Sequence, residues 1–126
     1  MIRRLCLSAA ALVMLAAPAI AADAPDAVCK EPAAPTMPDG RTAPAKDIVA
    51  AAAAVKAFVA DSDVYQECLK EVIDKMQTAA KAEKKEMDPK VKAALEMKGD
   101  ANQAKKEELG QRYAITAAAY RQAHPR

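Results

Sequence analysis

Two cysteines, Cys29 and Cys68, are the residues of this 126-residue chain whose type and spacing best suggest covalent chemistry. The third, Cys6, lies in an apolar N-terminal stretch that we expect to be cleaved off. An exported chain that keeps two cysteines usually joins them, because its compartment is oxidising. We therefore predict a disulfide between Cys29 and Cys68. Two buried thiols or a metal pair are the alternatives, although a zinc site needs more N and S ligands than His124 alone could add.

No catalytic constellation accompanies these cysteines in the sequence. Cysteines joined in a disulfide have no thiolate to act as a nucleophile. Ser62 has no histidine near it, and His124, the only histidine, stands beside Pro125, where a solvated side chain is expected. The sequence also lacks CxxC, CxxCH, a glycine-rich phosphate loop and an EF-hand spacing. We predict no enzymatic activity, no catalytic residue and no cofactor.

Three methionines offer a weaker chemical signal. Met76, Met87 and Met97 fall near the predicted junction of two helices. Clustered thioethers bind cuprous ions, but methionine at helical spacing usually fills gaps in a core. We therefore predict no metal site and keep small-ligand or metal binding as the alternative function.

Residues 1–21 have the three parts of a secretory signal peptide. Residues 3–4 are basic, residues 5–17 are apolar, and Ala21 ends a small-residue cleavage site. The apolar run is shorter than the ~20 residues that a membrane span needs. We predict cleavage after Ala21, with Ala22 as the alternative position. The mature protein is then expected in the periplasm or secreted, without a membrane span.

The charge balance disfavours two classes of partner. The whole chain has 19 Lys and Arg against 17 Asp and Glu. Arg3 and Arg4 leave with the signal peptide, so the mature chain is neutral. Nucleic-acid binding depends on neutralising phosphates, and binding to anionic membranes depends on polybasic segments. We therefore predict no nucleic-acid partner and no attraction to a membrane surface.

Residues 22–45 are too rich in proline to form a helix. Five of the eight prolines fall here, and each lacks the N–H group that a helix needs. The segment is expected to be extended, partly as polyproline II, with a turn near Pro38, Asp39 and Gly40. A disulfide from Cys29 would tether it to the rest of the chain.

Residues 46–87 predict one long helix. They contain no Pro or Gly and are rich in Ala, Lys, Glu and Leu, which favour helices. Apolar positions recur at alternating steps of three and four, which indicates one buried seam. The seam consists of Val55, Phe58, Tyr65, Leu69, Val72, Met76 and Ala79, with Ser62 filling the gap.

A second helix is predicted from Pro89 to about Ala123. Asp88 is a favourable N-cap, and proline is well suited to the first helical position. Gly99 could break this helix, but one glycine costs a helix only ~1 kcal/mol, so we prefer a continuous one. Its apolar positions are Val91, Leu95, Leu109, Tyr113, Thr116, Tyr120 and Ala123.

Together these patterns predict an all-α fold. Residues 46–126 form an antiparallel two-helix hairpin, and the extended segment is tethered to it by the disulfide. The core is thin, because the chain has one Phe, three Tyr and no Trp. With the turn near Asp88, the predicted pairs are Tyr113 with Ser62 and Tyr120 with Val55 and Phe58, or Tyr120 with Tyr65 and Leu69 if the second helix breaks.

The spacing of several residues resembles a group of short exported proteobacterial proteins that are uncharacterised. The residues that carry the resemblance are Cys29, Pro38-Asp39-Gly40, residues 55–59, Tyr65, Cys68-Leu69, Asn102-Gln103, Lys106-Glu107, Gly110, Tyr113 and Tyr120. The resemblance covers nearly all of the chain after the signal peptide. It implies a periplasmic setting and a helical domain with two cysteines, and it implies no activity.

The function that these observations favour is a non-enzymatic protein-interaction or structural module. Two thin helices with apolar stripes leave surface for another polypeptide. Phe58, Tyr65, Tyr113 and Tyr120 could line such a surface, although a shared core is the simpler expectation. The expected partner is an unknown envelope protein or a second copy of the chain, since pairing two hairpins would give a four-helix bundle.

Overall fold

The structure, a computed structural model, covers residues 28–125, so the predicted signal peptide lies outside the described residues. Within that range the chain has two helices and no strand: α1, Ala45–Ala82, and α2, Pro89–Ala123. They pack against each other in opposite directions, because Ser62 contacts Asn102 and Leu69 lies beside Gly99. The all-α hairpin is confirmed. Residues 28–44, hereafter the extended segment, have no regular secondary structure.

The buried face of α1 agrees with the centre of the predicted seam. The buried residues are Ile48, Ala51, Phe58, Ser62, Tyr65 and Leu69. Val72 and Met76 are half-buried and pack against the same core, whereas Ala79 is exposed. The seam therefore begins one helical turn or more before Val55, and it ends earlier than predicted.

The end of α1 was placed wrongly by sequence reasoning, since the helix stops at Ala82 instead of continuing to residue 87. Lys84 has a positive φ of 57°. Its N–H donates to the Lys81 carbonyl at 2.9 Å, and the Lys85 N–H donates to the Ala80 carbonyl, also at 2.9 Å. These two bonds define a Schellman motif, in which glycine normally holds the left-handed position. A lysine there gave no sequence signal for a helix end.

Replacing Lys84 by glycine should stabilise the protein by about 1 kcal/mol. A side chain in the left-handed region costs roughly 1–2 kcal/mol, which glycine avoids, and the greater freedom of glycine in the unfolded chain offsets part of the gain. Urea unfolding followed by circular dichroism measures the change. Lys85→Gly, one residue further along, is the matched control and should not stabilise. Equal or lower stability of Lys84→Gly would contradict the motif.

The start and course of α2 agree with prediction. The Asp88 carboxylate accepts a hydrogen bond of 2.8 Å from the Lys90 N–H, and Pro89 occupies the first turn. The helix continues through Gly99 without a break. Its buried residues are Leu95, Asn102, Leu109 and Thr116, spaced seven apart. That spacing is the repeat of a helix that keeps one line of contact with a partner helix.

The pairing of the two helices differs from the predicted register. The prediction places Ser62 opposite Tyr113, whereas the Ser62 hydroxyl accepts a hydrogen bond of 3.3 Å from Asn102 Nδ2. The α2 residues that face Ser62 are therefore about two to three helical turns nearer the connection, as the ion pair between Asp63 and Lys106 also shows. The physical reason is the early end of α1. Residues 83–88 form the connection, so α2 begins beyond a loop and not directly after a tight turn at Asp88.

The same shift corrects the predicted position of Tyr120. Because Ser62 pairs with Asn102, Tyr120 lies past Val55 and Phe58, towards the beginning of α1. Its ring stacks on that of His124 with centroids 4.3 Å apart.

The extended segment runs back along the hairpin and is held at both ends. The predicted disulfide joins Cys29 to Cys68, and Glu31 forms an ion pair with Lys105 of α2. The hydrogen bond and charge of Glu31 raise the pKa of Lys105 above its ordinary value. At the other end, Gly40 lies against the backbone of Thr116.

A turn at residues 39–43 leads from the extended segment into α1. The Asp39 carbonyl accepts hydrogen bonds from the Ala43 N–H at 2.8 Å and the Thr42 N–H at 3.3 Å. The Asp39 side chain also accepts from the Arg41 N–H at 2.9 Å, as is typical of aspartate in turns. The predicted turn near Pro38, Asp39 and Gly40 is thus present.

Candidate docking groove

The chemically reactive residues are dispersed in the structure. Cys29 and Cys68 are joined in the disulfide and carry no thiol. Ser62 is completely buried and hydrogen bonded to Asn102. His124 is exposed next to the end of α2, and its Nδ1 lies 3.1 Å from the Tyr120 carbonyl oxygen. These side chains therefore do not form a shared site.

The three methionines are not gathered in one position. Met76 and Met87 pack against the core cluster that surrounds Tyr65 and Leu69. Met97 is 70% exposed on α2. Among residues 28–125, no three His, Cys, Asp or Glu side chains are grouped as metal ligands would be. In the same range, no helix is both long enough and apolar enough to cross a bilayer.

The extended segment covers one side of the hairpin. Its residues 30–33 lie beside Asp61 and Val64 of α1, and Thr36, Met37 and Pro38 lie beside Ala50 and Ala54. On α2 its neighbours are Lys105, Thr116 and Ala119. On this side the extended segment covers the seam between α1 and α2.

The opposite side of the hairpin carries a groove that the extended segment does not cover. This open groove has a volume of about 280 Å³. Its lining residues all belong to α1 and α2: Gln66, Leu69, Lys70, Ile73, Leu95, Glu96, Gly99, Asp100 and Gln103. Leu69 and Leu95 form a buried apolar floor, and Ile73 is half-buried at one edge. Gly99 has no side chain, so a ligand can approach the α2 backbone closely.

A buried amide network forms one end of the open groove. Asn102 is completely buried, and its Oδ1 accepts a hydrogen bond of 2.9 Å from Gln66 Nε2. Its Nδ2 donates to the Ser62 hydroxyl, so both ends of the amide have partners. Buried polar side chains of this kind fix the register of packed helices, because any slip would leave them unpaired. Beyond the network, Lys106 and Asp63 form an ion pair between the two helices.

The rim of the open groove has opposite charges on its two walls. The α1 wall carries Lys70, whose side chain is 70% exposed. The α2 wall carries Glu96 and Asp100. Among the described residues, Lys70 pairs only with its helix neighbour Glu67 at 3.5 Å, and Glu96 pairs with Lys92 at 3.7 Å. Exposed pairs of this kind are worth less than about 1 kcal/mol, so these charges remain available to a partner.

The chemical groups of the open groove suit non-covalent binding of a partner and not covalent chemistry. The polar ones are two carboxylates, one ammonium group and two amides, with no histidine, cysteine or hydroxyl. Amides and carboxylates beside an apolar floor bind the backbone and side chains of a polypeptide. This groove could not be predicted from the sequence, because Gln66, Lys70 and Gln103 have the polar character of ordinary surface residues of a helix. The heptad spacing of Leu95, Asn102, Leu109 and Thr116 was the one signal that could have placed Asn102 in the core.

Comparison with known proteins adds no relative: no family model, curated protein or solved structure matches this chain. The resemblance to short exported two-cysteine proteins therefore stays a prediction.

Proposed function

We propose that this protein is an exported, non-enzymatic interaction module that binds a polypeptide in the open groove. The observation that carries the proposal is the asymmetry of the hairpin. One side of the helical seam is covered by the extended segment, and the other side presents an apolar floor between walls of opposite charge. Apolar surface rimmed by polar residues is typical of protein-interaction sites.

The hairpin already binds one extended polypeptide, namely its own residues 28–44. It does so with a disulfide, an ion pair and close contact to the backbone of α2. The open groove offers similar elements on the other side, with an ammonium group on one wall and carboxylates on the other. A second polypeptide segment is therefore the ligand class that fits it best.

The disulfide supports the proposed location outside the cytoplasm. Structural disulfides persist in oxidising compartments and are rare where thiols are kept reduced. A periplasmic or secreted setting also agrees with the signal peptide that residues 1–21 predict.

A photo-crosslinking experiment tests the proposed function. A photoreactive phenylalanine is placed at Gln103, which lines the open groove, and in a second variant at Ala104, the next residue of α2, which is exposed and does not line it. Irradiation of cells that export the protein should give a discrete polypeptide adduct only from position 103. Adding Lys70→Glu to the Gln103 variant should weaken that adduct by about tenfold, since like charges on both walls repel a complementary partner.

Three outcomes contradict the proposal. Position 103 could give no polypeptide adduct, as expected if the groove binds only a small ligand. Alternatively, positions 103 and 104 could give the same adducts, or Lys70→Glu could leave the adduct unchanged, which would mean that the contacts are not specific to the groove.

A further inference from the structure

Two rows of half-buried residues flank the helical seam on its open side. Each row repeats every seven residues and therefore stays on one side of its helix along the whole seam. The α1 row includes Ala52, Val59 and Ile73, and the α2 row includes Gly99, Tyr113 and Tyr120, with Gln66 and Lys106 as polar members at the middle. A second helix pair that packs on this side, as in a four-helix bundle, would cover both rows.

We propose that the open groove is the interface of a two-fold symmetric homodimer, in which α1 of each copy packs against α2 of the other copy. This inference rests on the proposed function, because it names the polypeptide that occupies the groove. Homodimers with two-fold symmetry are the commonest soluble oligomers, and their interfaces must be self-complementary. The groove meets that requirement through its charges.

The charges of the two walls complement each other under a two-fold rotation. The exposed charges that line the groove are Lys70 on α1 and Glu96 and Asp100 on α2. A two-fold axis parallel to the helices brings the α1 wall of one copy against the α2 wall of the other. Each dimer then contains this basic-to-acidic contact twice. Asp100 has no ion-pair partner among residues 28–125, so it is available for such a contact.

The register of the hairpin places these charges at the same position along the helix axis. Within one copy, Leu69 lies beside Gly99, since a Cβ on Gly99 would be 4.0 Å from Leu69 Cδ1. Rotation about an axis parallel to the helices leaves the position of each residue along that axis unchanged. Lys70 of one copy therefore lies opposite the stretch between Glu96 and Asp100 of the other copy. Gly99 lies within that stretch, and its missing side chain lets the opposing helix approach.

The alternative two-fold axis, perpendicular to the helices, is less favourable. It would set α1 against α1 and α2 against α2, so that the acidic walls of the two copies faced each other. Like charges across an interface oppose association. The distribution of charge therefore selects the arrangement in which α1 faces α2.

A charge-swap experiment with the full exported protein tests the dimer. The wild-type mass, measured by light scattering across a dilution series, should be that of two chains. Lys70→Glu or Asp100→Lys alone should weaken dimerisation by about tenfold or more, because each places like charges across both contacts. An equimolar mixture of the two variants should recover dimers, since in a mixed dimer both contacts again join opposite charges.

Lys75→Glu is the matched control. Lys75 lies on the same helix and is 79% exposed, but it does not line the open groove, so this variant should dimerise like the wild type. Circular dichroism of every variant should show the same helix content as the wild type.

Three results overturn the homodimer. They are a wild-type protein that stays monomeric at all concentrations, single variants that dimerise as well as the wild type, and a mixture that fails to recover dimers. Failure here is distinguishable from failure of the proposed function. A monomeric protein whose position 103 still captures another polypeptide keeps the proposed function and loses the homodimer, whereas a monomer without any position-103 adduct loses both.

Discussion

Removing the disulfide by replacing both Cys29 and Cys68 with alanine should lower the free energy of unfolding by about 4 kcal/mol. The bond closes a loop between residues that are 39 apart in sequence. On the chain-entropy model, opening a loop of this length restores freedom to the unfolded chain worth ~4 kcal/mol. Small domains have total stabilities of roughly 5–15 kcal/mol, so the loss removes a large part of the whole. Urea unfolding followed by circular dichroism measures it.

Reduction of the unmodified protein separates the effect of the bond from that of the side chains. Cys29 is 6% exposed and belongs to the core cluster with Tyr65, Leu69 and Leu95, so its replacement also changes packing. The wild-type protein in excess reductant keeps both sulfurs and loses only the bond. It should show most of the same destabilisation. If reduction changed stability by less than about 1 kcal/mol, the extended segment would be held by its other contacts and the prediction would fail.

Gly40→Ala should destabilise the protein by about 3 kcal/mol, the upper part of the range for an overpacked site. A Cβ on Gly40 would lie 2.1 Å from the Thr116 carbonyl oxygen and 3.1 Å from Ala119 Cβ. The oxygen belongs to the backbone of α2, which cannot move aside without disturbing the helix. The turn at residues 39–43 must therefore lift away, which also breaks the 3.5 Å hydrogen bond from Thr116 Oγ1 to the Pro38 carbonyl. Urea unfolding and limited proteolysis of the extended segment measure the two effects.

Gly110→Ala is the matched control for this prediction. Gly110 lies within α2, and a Cβ there would meet nothing within 4 Å. Alanine favours a helix over glycine by roughly 1 kcal/mol, so this substitution should stabilise. The same chemical change is thus expected to have opposite signs at the two positions. If Gly40→Ala were as stable as the wild type, the close approach of the turn to α2 would be refuted.

Local sequence rules predicted the elements of this fold well where a recognisable residue marks a boundary. Asp88 and Pro89 marked the start of α2, and the proline-rich composition marked the extended segment. The end of α1 was missed because its Schellman motif uses Lys84 in place of glycine. A charged run that favours helix formation gave no reason to stop before residue 87.

The error at that boundary explains the error in register. A hairpin register depends on where both helices end, so a displacement of one end moves every facing pair. Tyr113 and Tyr120 were consequently assigned to the wrong partners. Asn102, whose side chain pairs with Ser62, was not counted among the seam positions of α2, because those positions were chosen for apolar character and an amide is usually exposed.

The sequence alone determined the helical class, the two elements and the disulfide pair, because each depends on composition or on residues near one another in the chain. Tertiary structure alone decided which side of the hairpin stays open. That choice depends on the course of the extended segment, which is directed by contacts between distant residues: Cys29 with Cys68, Glu31 with Lys105, and Gly40 with Thr116. The opposite charges on the two walls of the open groove likewise arise only when α1 and α2 are brought together, since Lys70 and Asp100 are thirty residues apart in sequence and lie on opposite walls of the same groove.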